Sequence, residues 1–348
     1  MKRRKKKFSW GGLLYLLVIL LFVVLLIVRW DDAARIAKTI LQANLWYLFL
    51  ALIVQLMIMI NQAMFYRDSY RVFGLRVEWV RFFWVVGAAN FLSMVSPSGG
   101  FVPGLALVLA DGKKMNLSRG KIVIANVAYW VVNYSTFILF LVISLFFLLI
   151  GGGLTDYMLY PALFLFFLAA IFVTIMFLAL DNYDRFKQVS IKMAQKFNGL
   201  NVWLGKKYRI DQRHIKKYSY EIYEGYHYVL NNIWSIKILI YRAIAMILLN
   251  VTILSLLVKS FGGDWLSIGF LVSCYVIAAL LMVISITPSG AGVVELAMVS
   301  ILSAQVIDFD KAVLVVVLYR LYQFWIPLLF GFISFRRIGG GLIIKIHS

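Results

Sequence analysis

Cysteine, proline, histidine and acid are all scarce in this chain. One cysteine in 348 residues, Cys274, excludes any disulfide within it. Three histidines, His214, His227 and His347, show no metal-ligand spacing, so no metal is expected. Fifteen acidic residues stand against 35 basic ones, and by the apolar pattern only Glu295 falls inside a hydrophobic stretch. One such carboxylate gives no paired acid/base constellation. A Walker A loop, a GxSxG elbow and an HExxH helix are also missing. The expectation is a protein that is not an enzyme, with no catalytic residues and no cofactor. ATP-driven pumping would need a motor on a partner.

Apolar residues, by contrast, make up 63% of the chain, charged residues only 14%, and the mean hydropathy is +0.89. A soluble domain carries about a quarter charged residues. A run of roughly 20 apolar residues spans a bilayer as a helix, which satisfies its own backbone there. Such runs predict spans over 11–28, 45–66, 122–150, 158–180, 238–258 and 312–335. The first, after MKRRKKKFSW, is longer than a signal-peptide core and lacks a small-residue cleavage site, so it reads as an uncleaved span. The net charge of +20 sits between the runs. The N-terminus, 67–81, 111–121, 181–237 and the tail from Arg336 hold 28 of the 35 Lys and Arg residues. The alternate loops carry Asp31, Asp32, Asp156, Asp264, Asp308 and Asp310. Cytoplasmic loops carry the Lys/Arg excess. Both termini are therefore expected in the cytoplasm of a bacterial or archaeal cell, with the basic loops facing an anionic leaflet rather than nucleic acid. Segment 181–237 holds 11 basic residues, 5 acidic ones, and Tyr218, Tyr220, Tyr223, Tyr226 and Tyr228. It reads as amphipathic helices at the membrane surface, or as a solvated loop domain.

Two further apolar segments, 82–110 and 267–307, are broken by Pro and Gly. Each begins and ends among loops of the same charge type, so each returns to its own side, the first entering from the cytoplasm and the second from outside. The depth of the second is open. Ser96-Pro97-Ser98-Gly99 and Thr287-Pro288-Ser289-Gly290 nearly repeat each other 191 residues apart and use two of the five prolines. The expected fold is all-α and polytopic, with six to seven full spans plus two broken, re-entrant helical hairpins in an inverted-topology repeat. Two ordinary tight turns between short helices are the alternative. The divisions would be 1–44 (basic tail, first span and outer interfacial helix), 45–150 (first repeat with hairpin 82–110), 151–180 (connecting span), 181–237 (basic amphipathic segment), 238–335 (second repeat with hairpin 267–307) and 336–348 (tail).

Broken helices at matching positions point to a binding site near the midplane. The helix after each turn starts inside the membrane, where free N–H groups and the dipole favour an anion. Gly99, Gly100, Gly290 and Gly292 let a phosphate approach the backbone, Ser98 and Ser289 add hydroxyl donors, and Pro97 and Pro288 set the turns. Glu295 and Arg320 lie at similar expected depths and should meet, directly or through water. They form either a structural ion pair or a site in which Arg320 holds a lipid phosphate while Glu295 balances its charge or carries a proton. Arg242, close to Lys237, is expected to snorkel to the cytoplasmic face. Asn90, Asn126, Asn133, Asn250, Tyr319 and Gln323 either line a path or bond helices together.

The stretch TPSGAGVVELAMVSIL, followed by VLYRLYQFWIPLLFGFISF, resembles the lysylphosphatidylglycerol synthase transmembrane region, also called the flippase-like family. Pro288, Gly290, Gly292, Glu295, Tyr319, Arg320, Trp325 and Pro327 match its Pro-Gly turn, Gly-Val-Val-Glu helix start, Tyr-Arg pair and Trp-Leu-Pro segment. GAANFLSMVSPSGG, with Asn90, Pro97 and Gly99, is similar to the family's first region, although 101–110 lacks the acidic and arginine residues many members carry there. The resemblance implies a lipid translocase. In two-part members the membrane region flips an aminoacylated phosphatidylglycerol made by an attached soluble synthase domain. This sequence runs only to Ser348, soon after its last span, so that domain is not expected, and a lipid-modifying synthase or glycosyltransferase is a possible partner. The implied substrate is a phospholipid, a glycolipid or a polyprenyl-phosphate sugar. Two other classes stay open: a secondary transporter of a small anion, and a non-transporting membrane partner of a synthase recruited through 181–237. Oligomerisation is open as well.

Overall fold

The computed structural model describes residues 40–95, 101–115, 117–150, 182–203, 236–284, 292–305 and 307–342, with a few single positions such as Gly290. The expected spans 11–28 and 158–180 lie outside these residues, apart from Phe167, as do the turns 96–100 and 285–289. In chain order the elements are α1 (Leu45–Val72), α2 (Trp79–Val95), α3 (Phe101–Lys114), α4 (Arg119–Ile150), α5 (Tyr183–Trp203), α6 (Lys237–Ser260), α7 (Ile268–Ile284), α8 (Val293–Gln305), α9 (Phe309–Arg320) and α10 (Ile326–Leu342). A π turn, Leu321–Trp325, joins α9 to α10. No strand occurs among the described residues. Among the described residues, four stretches are long and apolar enough to cross a membrane: Leu45–Val72, Gly120–Ser144, Lys237–Ser260 and Phe309–Ile338. The protein is an all-α, polytopic membrane protein.

Local chemistry sets the helix ends. The Asn44 side chain accepts the Trp46 N–H at 3.0 Å and caps α1. α1 and α6 then stop in the same way, at Phe73-Gly74 and Phe261-Gly262, with glycine φ of 70° and 74°. The Leu75 N–H returns to the Tyr70 carbonyl at 2.9 Å, and the Gly263 N–H to the Val258 carbonyl at 3.3 Å. This closure needs a left-handed residue just past the helix, which glycine supplies without a Cβ clash.

α1 and α6 pack against each other at the centre. The Asn44 N–H donates to the Ser260 carbonyl at 2.8 Å, and Asn61 Nδ2 donates to the Arg242 carbonyl at 3.0 Å. The start of α1 therefore lies beside the end of α6, and the two run antiparallel. Around them the packing is exchanged between halves. α2 lies on α10, α7 lies on α4, and the α2–α3 and α7–α8 pairs fold back as hairpins. At the α2–α10 crossing, a Cβ on Gly87 would meet Ser334 Oγ at 2.6 Å. At the α7–α4 crossing, Ser273 Oγ donates to the Ser144 carbonyl at 3.3 Å. Ser144 and Ser334 are 190 residues apart and fully buried, and the buried Asn61 and Asn250 are 189 apart. Exchanging residues 45–150 with 237–342 leaves this pattern of packing unchanged. With α1 and α6 antiparallel, the exchange reverses direction, as an inverted repeat requires.

The structure differs from the sequence expectation in two details. Asp68 and Asp111, expected in loops or at membrane interfaces, are both buried on helices, 8% and 3% exposed. α1 continues six residues past Tyr66 because Arg67–Val72 keeps the helical spacing of buried positions at Phe65, Asp68 and Ser69. Arg242, expected to snorkel, is paired within the bundle and only 21% exposed. Its Nε donates to Asp68 Oδ2 at 3.0 Å, with Asn61 Oδ1 3.4 Å from Nη1.

Within the basic segment, Asn182 caps α5 by accepting the Asp184 N–H at 2.9 Å. Tyr183 then packs edge-on to Tyr220 and Tyr223.

Candidate functional site

The site begins at the second interruption. Gly290 and Gly292 both have left-handed backbones, with φ of 68° and 86°. At Gly290 the space is also closed, since a Cβ would lie 2.9 Å from the Cα of Met282 on the preceding leg. α8 starts at Val293, so Glu295 is its third residue. One oxygen of Glu295 accepts the Gly292 N–H at 2.7 Å. This is the glutamate half of a capping box, in which the third helical residue reaches back to the cap N–H.

The other carboxylate oxygen, Oε1, lies 2.8 Å from Arg320 Nε. Arg320 Nη2 also donates to the Gly290 carbonyl at 3.4 Å. The arginine side chain is only 10% exposed and the glutamate 27%. A charge at such depth persists only when paired, because burial strips its hydration. One cation thus ties the end of the turn and the start of α8 to the last long helix.

Arg320 stands where that helix changes register. The Ile326 N–H bonds to the Leu321 carbonyl, five residues back rather than four. Pro327 lies one residue further, and in an α-helix its ring would crowd the Gln323 carbonyl. The wider turn relieves that crowding, and π turns recur at functional sites. Within it, Gln323 Nε2 and Trp325 Nε1 have no hydrogen-bond partner among the described residues. Tyr322 anchors the turn by donating its hydroxyl to the Leu48 carbonyl at 2.8 Å. Tyr319, just before Arg320, is buried.

The structure thus brings Gly290, Gly292, Glu295 and Arg320 into one cluster. Pro97, Ser98, Gly99, Gly100, Pro288 and Ser289 lie outside the described residues. The asparagines work mainly within the protein. Asn90 and Gln62 exchange amide hydrogen bonds at 2.8 and 3.4 Å. Asn126 donates to the Tyr70 hydroxyl at 3.2 Å and to the Ile122 carbonyl at 2.8 Å. Asn250 donates to the Met246 carbonyl in its own helix at 2.6 Å. Asn133 is half-buried on α4. Sequence reasoning missed the Asn61–Asp68–Arg242 cluster between α1 and α6, and the Arg81–Asp111 pair that ties α3 to the start of α2. Helical spacing carried past Tyr66 exposes the first, since Asn61 and Asp68 are seven residues apart on one face. An open cleft of about 800 Å³ lies elsewhere, at the ends of α1 and α6, lined by Asn44, Ser260 and Lys311 among others.

A family model described as the lysylphosphatidylglycerol synthase TM region matches residues 12–331. The chain belongs to this family. Over 310 residues this lysylphosphatidylglycerol synthase TM-region protein is 25% identical to the UPF0104 membrane protein MJ1595 of Methanocaldococcus jannaschii, a match covering 86% of this chain and 87% of that protein. A shorter match of 58 residues is 47% identical to the UPF0104 membrane protein MJ1078 of the same organism, covering 17% of this chain and 25% of that protein.

Proposed function

We propose that this family member is a lipid translocase that moves an anionic or lipid-linked polar headgroup across the cell membrane, without catalytic chemistry of its own. The observation that carries the proposal is the buried Arg320, held at the mouth of a broken hairpin beside the N-terminus of α8. A fixed cation, two left-handed glycines, and the Gln323 and Trp325 N–H donors on the adjoining π turn, which have no partner among the described residues, form a neighbourhood rich in donors. A phosphate has acceptor oxygens to match, and an arginine fork binds it in two-point fashion. The inverted repeat supplies a means of exposure, because rocking one half against the other would uncover the cluster on the second half to each side in turn.

The charge pattern favours the end of the bundle bearing Arg67, Arg81, Arg336 and Arg337 as the cytoplasmic one, with both termini there. The basic segment around α5 would rest on the anionic leaflet and offer a surface to a synthase or glycosyltransferase that makes the lipid.

The test is a proteoliposome assay with fluorescent phosphatidylglycerol, in which a membrane-impermeant quencher reports the leaflet. The purified protein should raise the rate of leaflet exchange above empty vesicles, and Arg320→Ala should return it to background. Equal exchange in protein-free and protein-containing vesicles would overturn the proposal.

A further inference from the structure

Glu295 already sits where an incoming phosphate needs to be. Its two oxygens take the N-terminal N–H of Gly292 at 2.7 Å and the Arg320 guanidinium at 2.8 Å. These are the donors a phosphate oxygen would use. The carboxylate is therefore a tethered anion lodged in its own protein's seat.

We infer that Glu295 competes with the substrate phosphate for Arg320 and Gly292, and that substrate binds in exchange for protonation of Glu295. This rests on the translocase reading above and adds a regulation to it. The charge count favours the exchange. Before binding, Glu295 carboxylate and Arg320 sum to zero. A phosphodiester added to that pair would leave one net negative charge in a site shielded from water. If Glu295 takes one proton from bulk hydronium or buffer acid as the phosphodiester enters, the pair becomes Arg320 and phosphate, with Glu295 a neutral acid, and the sum stays zero. One O–H bond forms on Glu295, the donor's bond to that proton breaks, and the conjugate base stays in the bulk. On release, the proton returns to whichever side the site then faces, so headgroup and proton move together.

Among the described residues, no other titrating group at the seat disturbs this count. Glu295 is the only ionisable residue on α8. From α9, Arg320 faces it directly, Tyr319 precedes that arginine, and Asp308, Asp310 and Lys311 lie at the far end of the helix. α7 brings only Cys274 and Tyr275. The phenols and the thiol are neutral over the range in which a carboxylate titrates.

The test measures binding of phosphatidylglycerol in nanodiscs between pH 5 and 9, where that phosphodiester keeps a constant charge. Wild-type affinity should fall as pH rises, approaching about tenfold per unit where Glu295 is ionised. Glu295→Gln should bind at least about tenfold more tightly at the alkaline end, with a flat profile. Glutamine keeps an oxygen for the Gly292 N–H, since the third position of a capping box accepts either residue. A wild-type measurement supports the variant: adding lipid to weakly buffered protein with a pH dye should show one proton taken up per lipid bound. Equal pH slopes in wild type and Glu295→Gln, or no proton uptake, would overturn the exchange while leaving the translocase reading intact. If phosphatidylglycerol binds neither protein, both fall. If the deacylated headgroup, glycerophosphoglycerol, reproduces the slope and the proton uptake without its acyl chains, the exchange stands and the substrate is a soluble anion.

Discussion

The two halves share a scaffold but not a chemistry. In the first, the ion pair of the hairpin, Arg81–Asp111, joins the start of α2 to the later part of α3, and the arginine is 42% exposed. In the second, Glu295 and Arg320 meet at the broken turn, with the arginine only 10% exposed. The first pair fastens the outer ends of two legs. The second holds the tip of a hairpin against the neighbouring helix. The two halves thus present similar frames, and among the described residues the arginine on the last helix gives the second a buried ion pair at its turn. The counterpart of Arg320 in the first half, by the 190-residue offset, is Trp130, which carries no charge.

That contrast is open to attack at several points. The largest effect is expected from Arg320→Ala. It leaves Glu295 without its cation and should cost about 3–5 kcal/mol of stability, the range for breaking a buried pair. The double change Glu295→Gln with Arg320→Met should recover most of the melting temperature yet none of the leaflet exchange. Recovery of exchange by the double variant would show that the pair is structural only. Gly290→Ala should come next, at about 2–3 kcal/mol, because left-handed strain adds to the contact with Met282. Gly292→Ala meets open space and should cost about 1 kcal/mol from strain alone. Thermal unfolding in detergent distinguishes the two, and equal losses would mean that the hairpin leg is not closely packed there.

Asp111→Asn probes the quieter half. Because Arg81 is partly in solvent, the loss should be about 1–2 kcal/mol, below the buried-pair range, with leaflet exchange within about twofold of wild type. A collapse of exchange would assign the first hairpin an equal share of the site. The smallest effect tests the repeat itself. Gly74→Ala and Gly262→Ala change corresponding helix ends, both open and left-handed, and each should cost about 1 kcal/mol. Losses differing by more than about twofold would show that the two ends are not equivalent in energy, whatever their geometry.

Much of this architecture was legible in the residues. Unbroken apolar runs located α1, α4, α6 and the α9–α10 helix, because a bilayer leaves few options for such runs. The second Pro-Gly turn and the lone carboxylate after it pointed to Glu295 and Arg320 as neighbours. Other features were hidden for physical reasons. Asp68 and Arg242 are 174 residues apart, and each alone looks like a charge at the edge of a span. Only the antiparallel packing of α1 on α6 brings them together. The capping bond to Gly292 was encoded by spacing, but a carboxylate in an apolar run is equally compatible with a purely ionic role. The π turn had a visible cause in Pro327, yet a proline in a membrane helix is equally compatible with a kink.

The antiparallel central pair also constrains how such a chain arises. α4 runs opposite to α1, so Ile150 lies toward the end where Asn44 meets Ser260, whereas Lys237 opens α6 at the other end. Those two described ends therefore lie at opposite ends of the central helix pair. A four-helix ancestor able to insert either way up could be fused to its own copy only through a linker with an odd number of crossings. Joining the copies by a simple loop would have left both facing the same way and abolished the two-fold relation.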